Sequence, residues 1–310
     1  MISLLEWRPD MEYSFPRYLL SKQSVDDRAL NCTVLEALKA NIPQAPIEIV
    51  EVGAGIGSML RRLLHWKILP PQVDYSLVDE MVENKAFGTD LLPKWAKLEG
   101  YEVEAHAGGG DFHLSKPAST VQAHFVQADV FDYIESHPAQ VDLLIAHAFL
   151  DLLPLPGSLP KLFSLIKPGG LAWLTINFDG MTTFEPVIDA ELDARIEMCF
   201  HKTMDERITN GVRSGDSRTG RHLFGYLSQL KAKILAAGAS DWVVHPMDGQ
   251  YPSDEAYFLQ FILYFFETTL CGSPELHDEQ FAKWLAKRRS QVDAGQLTYI
   301  AHQMDFLVRV

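Results

Sequence analysis

Short apolar blocks separated by segments of helical spacing set the rhythm of the first half of this chain. Residues 47–52, 73–79, 123–129, 141–148 and 171–178 are short, mostly apolar runs, rich in Val, Ile and Leu. They predict five strands buried on both faces, as in a parallel sheet. Residues 58–64 and 83–100 carry helical spacing, the second interrupted by Pro93, and 159–166 adds a short helix. Strand and helix in alternation predict an α/β fold, a doubly wound sheet whose ligand lies across the carboxyl ends of its strands. Ahead of the first block, residues 13–24 read as an irregular aromatic and basic lead-in. A helix should follow, because Ser24-Val25-Asp26-Asp27 has the Ser-x-x-Asp form of an N-terminal cap and Leu30, Val34 and Leu38 make a stripe. Residues 41–46 end it, and the Gly-rich residues 106–120 predict a mobile loop.

The second half has longer intervals. Ile188, Leu192, Ile196, Cys199 and Thr203 form one stripe, predicting an amphipathic helix over 186–203. Residues 217–237, closed by Gly238, predict another helix, and 241–246 a sixth strand. An aromatic helix over 257–270 and a basic one over 280–289 precede 297–301 and 305–310, which supply the last strand. The intervals on both sides of the sixth strand exceed what a connection needs, so they should hold helical insertions. Tyr251, Tyr257, Phe258, Phe261 and Tyr264 are read as core rather than pocket.

The first block runs into Glu51-Val52-Gly53-Ala54-Gly55-Ile56-Gly57, three glycines spaced two apart. Glycines let the chain bend sharply there and let a ligand lie against backbone N–H groups. A dinucleotide fingerprint would place its third glycine one position later, where Ser58 stands. The pattern E-x-G-x-G-x-G resembles motif I of the class I S-adenosylmethionine-dependent methyltransferases. Asp79 at the end of the second block, Asp129 at the end of the third and Lys167-Pro168-Gly169-Gly170 before the fifth stand as they do in that family. The resemblance covers 47–178 by motif and the remainder by topology.

The resemblance implies a seven-stranded, mostly parallel, Rossmann-like methyltransferase sheet with its last strand antiparallel and helical insertions forming a cap. Residues 1–46 would be an N-terminal lid, 47–178 the cofactor core, and 179–310 the remaining strands with substrate-binding insertions, all in one continuous domain. S-adenosylmethionine would lie against Glu51, Gly53, Gly55 and Gly57. An acid at the second strand end suits both ribose hydroxyls, which assigns Asp79, with Glu80 beside it and Met81 flanking the adenine. Asp129 would take the exocyclic amine and the Val130 N–H a ring nitrogen. His147, Ala148 and Phe149 would lie below the methyl donor, and Arg17 or Lys22 close to the cofactor carboxylate.

Composition narrows the partners. The 310 residues carry Asp+Glu 41 against Lys+Arg 27, a formal net charge of −14, which disfavours nonspecific binding to nucleic acid. Cys32, Cys199 and Cys271 lie far apart and read as small buried residues of a reduced, cytoplasmic protein. Glu6 and Asp10 argue against a signal leader, and the longest apolar run, 257–266, is too short to span a membrane. His106 and His113 lack acidic or cysteine partners at ligand spacing, so no metal is expected.

Methyl transfer needs an acceptor held in line behind the methyl group, and a general base only where the acceptor must lose a proton. His147 is the named base, with Asp151 and His222 as further candidates. Arg218, Arg221 and His222, preceded by Arg213, would grip a carboxylate or phosphate on the acceptor, or pair with neighbouring acids. The expected activity is transfer of a methyl group to O, N or C of a small apolar or aromatic metabolite. A protein acceptor, a non-catalytic cofactor-binding scaffold and hydride transfer with a nicotinamide are the alternatives. The Asn/Asp-Pro-Pro-Tyr signature of nucleic-acid amino methylation is absent, since His147-Ala148-Phe149-Leu150 stands in its place. A homodimer stays open.

Overall fold

A computed structural model describes residues 13–44, 46–106, 108–137, 140–209 and 211–310. Helices α1 (Phe15–Ser21), α2 (Gln23–Ala29) and α3 (Cys32–Asn41) lead into β1 (Ile47–Val52), α4 (Ser58–His65), β2 (Gln72–Asp79) and α5 (Val82–Leu98). Strands β3 (Glu102–Ala105), β4 (Asp111–Lys116) and β5 (Ser119–Gln127) follow, then α6 (Val130–Ser136) and β6 (Val141–His147). A 3-10 turn, Leu150–Leu152, connects to α7 (Leu155–Phe163) and β7 (Ile166–Glu185). The second half carries α8 (Ala190–Asp205), a small hairpin of β8 (Ile208–Thr209) and β9 (Val212–Arg213), and α9 (Thr219–Gln229). It ends with β10 (Lys233–Ala239), β11 (Trp242–Val244), α10 (Glu255–Leu270), α11 (Asp278–Asp293) and β12 (Thr298–Arg309).

Apart from the β8–β9 hairpin, the strands form one sheet in the order β10-β12-β7-β6-β1-β2-β5-β4-β3, with β11 also paired to β12. Its centre, β7-β6-β1-β2-β5, is parallel, and β12 enters antiparallel between β7 and β10. This is the doubly wound Rossmann-like methyltransferase fold, antiparallel last strand included, with β3, β4 and β11 added to the seven strands expected. Alternation along the strands builds a core on each face. Ile49, Leu143 and Ile145 pack in one layer, whereas Val50, Val52, Leu144 and Ala146 pack in the other.

Several segments depart from the pattern-based reading. The lead-in is helical from Phe15, and Ser24 lies inside α2, where its hydroxyl donates to Glu255 (2.6 Å) instead of capping. The cap that exists is Asn31, whose side chain accepts the Val34 N–H at the start of α3. Pro93 leaves α5 continuous, and α7 begins at Leu155, ahead of the expected 159. Residues 111–116 and 119–127 pair as β4 and β5, so most of the expected loop is ladder. The Lys167–Gly170 turn is a bulge inside β7, with Ile166 opposite Val141 and Leu171 opposite Leu143. Helix α9 stops at Gln229, and the sixth strand is β10, while 242–244 forms only the short β11. The stripe over 186–203 holds from Ala190, with Ile188 exposed, and both segments of the last strand join as β12. Only Cys199 of the three cysteines is buried. Among the described residues no helix is long and apolar enough to cross a membrane, and Glu6 and Asp10 lie outside them.

The insertions are locked to each other by a buried ion pair that also reaches the end of β7. Arg288 of α11 donates to Asp193 Oδ1 of α8 (2.8 Å), to the Pro186 carbonyl (2.7 Å) and to Gln291 Oε1 (3.0 Å). Its side chain is fully buried, and Trp284 Nε1 also donates to Asp193. Removing one member of such a pair leaves an uncompensated charge in the interior. Arg288→Met should therefore lower the unfolding free energy by about 3–5 kcal/mol, read from denaturant midpoints. A loss within the ~0–1 kcal/mol of a surface pair would show that the insertions are held by other means.

Candidate functional site

The strand registers bring the sheet's carboxyl edge level. Val52 lies beside Val78 and Ala146, Val78 beside Val126, and Ala146 beside Leu174. Where the chain leaves these ends, a cleft of about 580 Å³ opens. Glu51, Gly53, Gly55, Asp79, Glu80, Met81, Asp129, Val130, His147, Ala148 and Phe149 all line it.

The glycine turn is left-handed at each glycine, with φ of 64° at Gly53, 56° at Gly55 and 73° at Gly57. A Cβ at Gly53 would stand 2.3 Å from the Phe149 ring, so that glycine is required sterically as well as conformationally, whereas one at Gly55 would meet only the movable tip of Leu19 (2.8 Å) and the left-handed φ is what requires glycine there. Gly57 is different. It is buried beneath the turn, where a Cβ would press on Leu77 (3.0 Å) and Phe125, and it does not line the cleft. The third glycine serves helix packing, which corrects its assignment to the ligand.

Asp79 ties the turn to α5. Its Oδ2 accepts the Gly55 N–H (2.8 Å), and its Oδ1 accepts the Met81 N–H (2.9 Å) and Asn84 Nδ2 (3.1 Å). Oδ2 thus keeps acceptor capacity, and the buried Oδ1 of Asn84, also on the cleft, has no partner. Asp129 caps α6, Oδ1 accepting the N–H groups of Phe131 (2.7 Å) and Asp132 (3.3 Å). Its Oδ2 and the Val130 N–H at the first helical position bond to no other described residue.

Burial pushes the Glu51 carboxyl up to about 8, against the hydrogen bond donated by the Tyr75 hydroxyl (2.7 Å) and the nearby Arg62 charge. Beside it lies a buried network centred on Asp26. Lys22 Nζ is 3.2 Å and His147 Nε2 3.0 Å from Asp26 Oδ2, Trp242 Nε1 donates to Oδ1 (2.9 Å), and Arg62 stands at 3.8 Å. Burial alone would raise Asp26, but Lys22, His147 and Arg62 outweigh it and hold the carboxyl well below the usual carboxylate range. Burial pushes His147 the other way, down to about 4. A neutral imidazole facing an acceptor-only carboxylate carries its proton on Nε2, so Nδ1 accepts from the Thr175 hydroxyl (2.8 Å). Both nitrogens are therefore committed to the protein, and His147 has no lone pair free to act as a base. This corrects its catalytic assignment and makes it a wall of the cleft.

Arg17 is also corrected. It pairs with Asp254 (3.0 Å) and stacks over Tyr257 on the outside, half-exposed and away from the cleft, whereas Lys22 lines it. A second pocket of about 860 Å³ shares Phe131, Leu153, Pro154 and Val212 with the cleft. Arg218 and His222 line this pocket, with His222 against Asp216. Arg221 does not line it, because its guanidinium holds the Asp179 carboxylate (2.8 Å) and carbonyl (2.9 Å). Tyr257, Phe258 and Phe261 are buried core, and the hydroxyl of Tyr251 donates to the Leu297 carbonyl. No group of three His, Cys, Asp or Glu suited to a metal occurs among the described residues.

Sequence reasoning passed over Asp26, Tyr75, Asn84, Thr175 and Arg207, all of which line the cleft or touch residues that do. The Lys22/Asp26 pair at i, i+4 was a legible signal. Arg207, alone in a polar loop, offered none.

No family model matches the chain, and no curated protein does. Solved structures are similar in chain trace. A putative methyltransferase from Bacillus halodurans C-125 covers 90% of this chain and 99% of its own at 10% identity, with a TM-score of 0.49. A SAM-dependent methyltransferase from Thiobacillus denitrificans, in complex with S-adenosyl-L-homocysteine, covers 96% and 99% at 13% identity and a TM-score of 0.47. The cyclopropane synthase MmaA2 from Mycobacterium tuberculosis covers 90% and 83% at 11% identity and a TM-score of 0.44. Such likeness concerns architecture alone, and the chemistry of the cleft rests on its own residues.

Glu51 has a pH signature. Its folded pKa of about 8 lies above the ordinary 4.5, so the folded state holds a proton that the unfolded chain releases. Its contribution to stability is full below about pH 4.5 and falls as pH rises toward 8. Glu51→Gln keeps the acceptor for Tyr75 but cannot ionise, so it should flatten the wild type's decline in unfolding free energy over that range. Identical slopes for the two proteins would mean that Glu51 is charged when folded.

Proposed function

We propose that this chain is an S-adenosylmethionine-dependent methyltransferase acting on a small molecule. The observation carrying this reading is the placement of Asp79 and Asp129, at level strand ends, beside a turn whose glycines are all left-handed. The residues present fit an adenosyl nucleoside. Asp79 and the unpartnered Asn84 Oδ1 supply acceptors for ribose hydroxyls. The open Oδ2 of Asp129 and the Val130 N–H match the amine and ring nitrogen of an adenine edge. Met81, Val130 and Phe131 give apolar surface for the base, and Glu51 and Lys22 line the same cleft as polar groups for an amino-acid tail.

When bound, that cofactor supplies a methyl group already activated by attachment to a sulfonium. What remains for the chain is positioning and exclusion of water, which contribute up to ~7–11 kcal/mol in well-oriented systems. Leu19 of α1 and Phe149 lie over the glycine turn and shield it, and Phe15, Leu152 and Leu153 extend the apolar lining toward the acceptor side. Ala148 holds a left-handed φ of 51° where the chain leaves β6, and its small side chain tolerates a conformation that a β-branched residue would not. Tethered through Asp26 and Thr175, His147 fixes the wall on which Ala148 and Phe149 sit. The apolar lining favours an acceptor with an apolar or aromatic body.

Calorimetry with S-adenosylmethionine tests the reading. The wild type should bind in the micromolar range. Asp79→Ala, which removes charge-assisted acceptors worth about 1.5–3 kcal/mol, should weaken binding by roughly 10–100-fold. A wild-type protein that shows no heat of binding would end the proposal.

A further inference from the structure

The second pocket is basic in a protein whose formal charge is −14. Lys161, Arg213 and Arg218 line it, and Arg207 stands on the adjoining wall of the cleft. None of these four side chains forms an ion pair or donates a hydrogen bond among the described residues; the Lys161 ammonium only lies 5.2 Å over the Phe131 ring, and Arg207 acts at longer range on the buried Asp151 carboxyl. Surface cations ordinarily stand apart in solvent, whereas these converge on one concavity. The pocket's two acids are held by other groups. Asp205 Oδ1 accepts the Ser217 N–H (2.8 Å), and Asp216 accepts the Arg218 N–H (2.9 Å) and faces His222. The cations outnumber them, and low-dielectric walls concentrate the resulting field. The passage from pocket to cleft is apolar, formed by Phe131, Leu153, Pro154 and Val212.

We propose that this pocket is the acceptor's anion site: the methyl acceptor has an apolar body lying over the shared wall and a carboxylate or phosphate end gripped by Arg213, Arg218 and Lys161, with Arg207 at the threshold. Guanidinium groups recognise both anions bidentately, which makes arginine suited to this task. The assignment rests on the methyl-transfer reading and deepens it, because it names the class of acceptor. His222, held against Asp216, forms part of the wall and is not the gripping group.

The test is calorimetry on the full chain saturated with S-adenosylhomocysteine, using phenyl phosphate, benzoate and benzyl alcohol as probes. At least one anion should bind saturably and lose affinity with added salt, while benzyl alcohol should bind at least about tenfold more weakly. Preference between the two anions identifies phosphate or carboxylate. Replacing Arg213 and Arg218 together by Gln should lower anion affinity by about tenfold or more while leaving S-adenosylhomocysteine affinity unchanged. If the double variant loses cofactor binding, the single Arg213→Gln change on the exposed hairpin is read in its place. Equal binding of benzyl alcohol, absence of anion binding, or undiminished anion affinity in the variant would overturn the proposal. If the wild type fails to bind S-adenosylhomocysteine, the methyl-transfer reading falls by itself, and the same anion titrations on the unliganded chain still decide the pocket.

Discussion

A carboxylate fully withdrawn from water has to be compensated, and Asp26 is compensated from four directions. Lys22 comes from the junction of α1 and α2, Arg62 from α4, His147 from the end of β6 and Trp242 from β11. Losing any one of them would leave part of a buried charge unpaired, a situation that costs several kcal/mol. The constraint therefore acts on position: the amino-terminal helices sit over the carboxyl edge of the sheet because their charge has no other place to be satisfied. Leu19 reaches Gly55 as a consequence, and the covering of the glycine turn depends on a network without direct contact with that turn.

A second carboxylate anchors the same helices at the opposite end. Asp305 in β12 accepts the Asn31 N–H (2.8 Å) just before α3 and the Ile176 N–H (2.7 Å) in β7. Ile176 is left-handed at φ 55°, and β12 shifts register between Met304 and Phe306 opposite it. An irregularity in two neighbouring strands is thus closed by one side chain that also positions a helix. Burial pushes Asp305 up to about 6, despite the donors around it. Asp26 and Asp305 together explain why a chain segment outside the sheet can still form a fixed wall of the cleft.

What could be read from sequence divides along physical lines. The parallel strands and the glycine turn were legible because burial on two faces demands continuous apolar runs and left-handed backbone demands glycine. Strand β10, with the sequence Lys-Ile-Leu-Ala-Ala-Gly-Ala, was not. Its residues favour helix, and only pairing with β12 makes it a strand, as its half-exposed edge position allows. The Gly-rich stretch before β4 was read as the whole of a loop although period-two alternation at Phe112 and Leu114 marked a ladder. At the site, Asp79 and Asp129 were visible because each stands at the end of an apolar strand run. Asp26 offered one local cue, Lys22 four residues before it, but its partners His147 and Trp242 lie 121 and 216 residues away, and no local pattern encodes those. Arg17 was misassigned for the same reason, since its partner Asp254 is 237 residues distant.

The two sides of the site treat positive charge differently. On the amino-terminal side the cations are spent on structure: Lys22 on Asp26, Arg62 on Asp26 and Asp27, Arg28 on Glu255 and Arg17 on Asp254. On the side built by the insertion after β7, Arg207, Arg213 and Arg218 make no such pairs among the described residues. Paired charges hold a wall rigid and carry little long-range field, whereas unpaired ones in a concave, partly apolar surface attract counter-charge from solution. The division matches the demands on each side. A site for an invariant nucleoside benefits from fixed geometry, and the sheet edge provides it. The insertion after β7 carries the free charge, so under the proposed methyl-transfer reading it is the side on which an acceptor would be recognised.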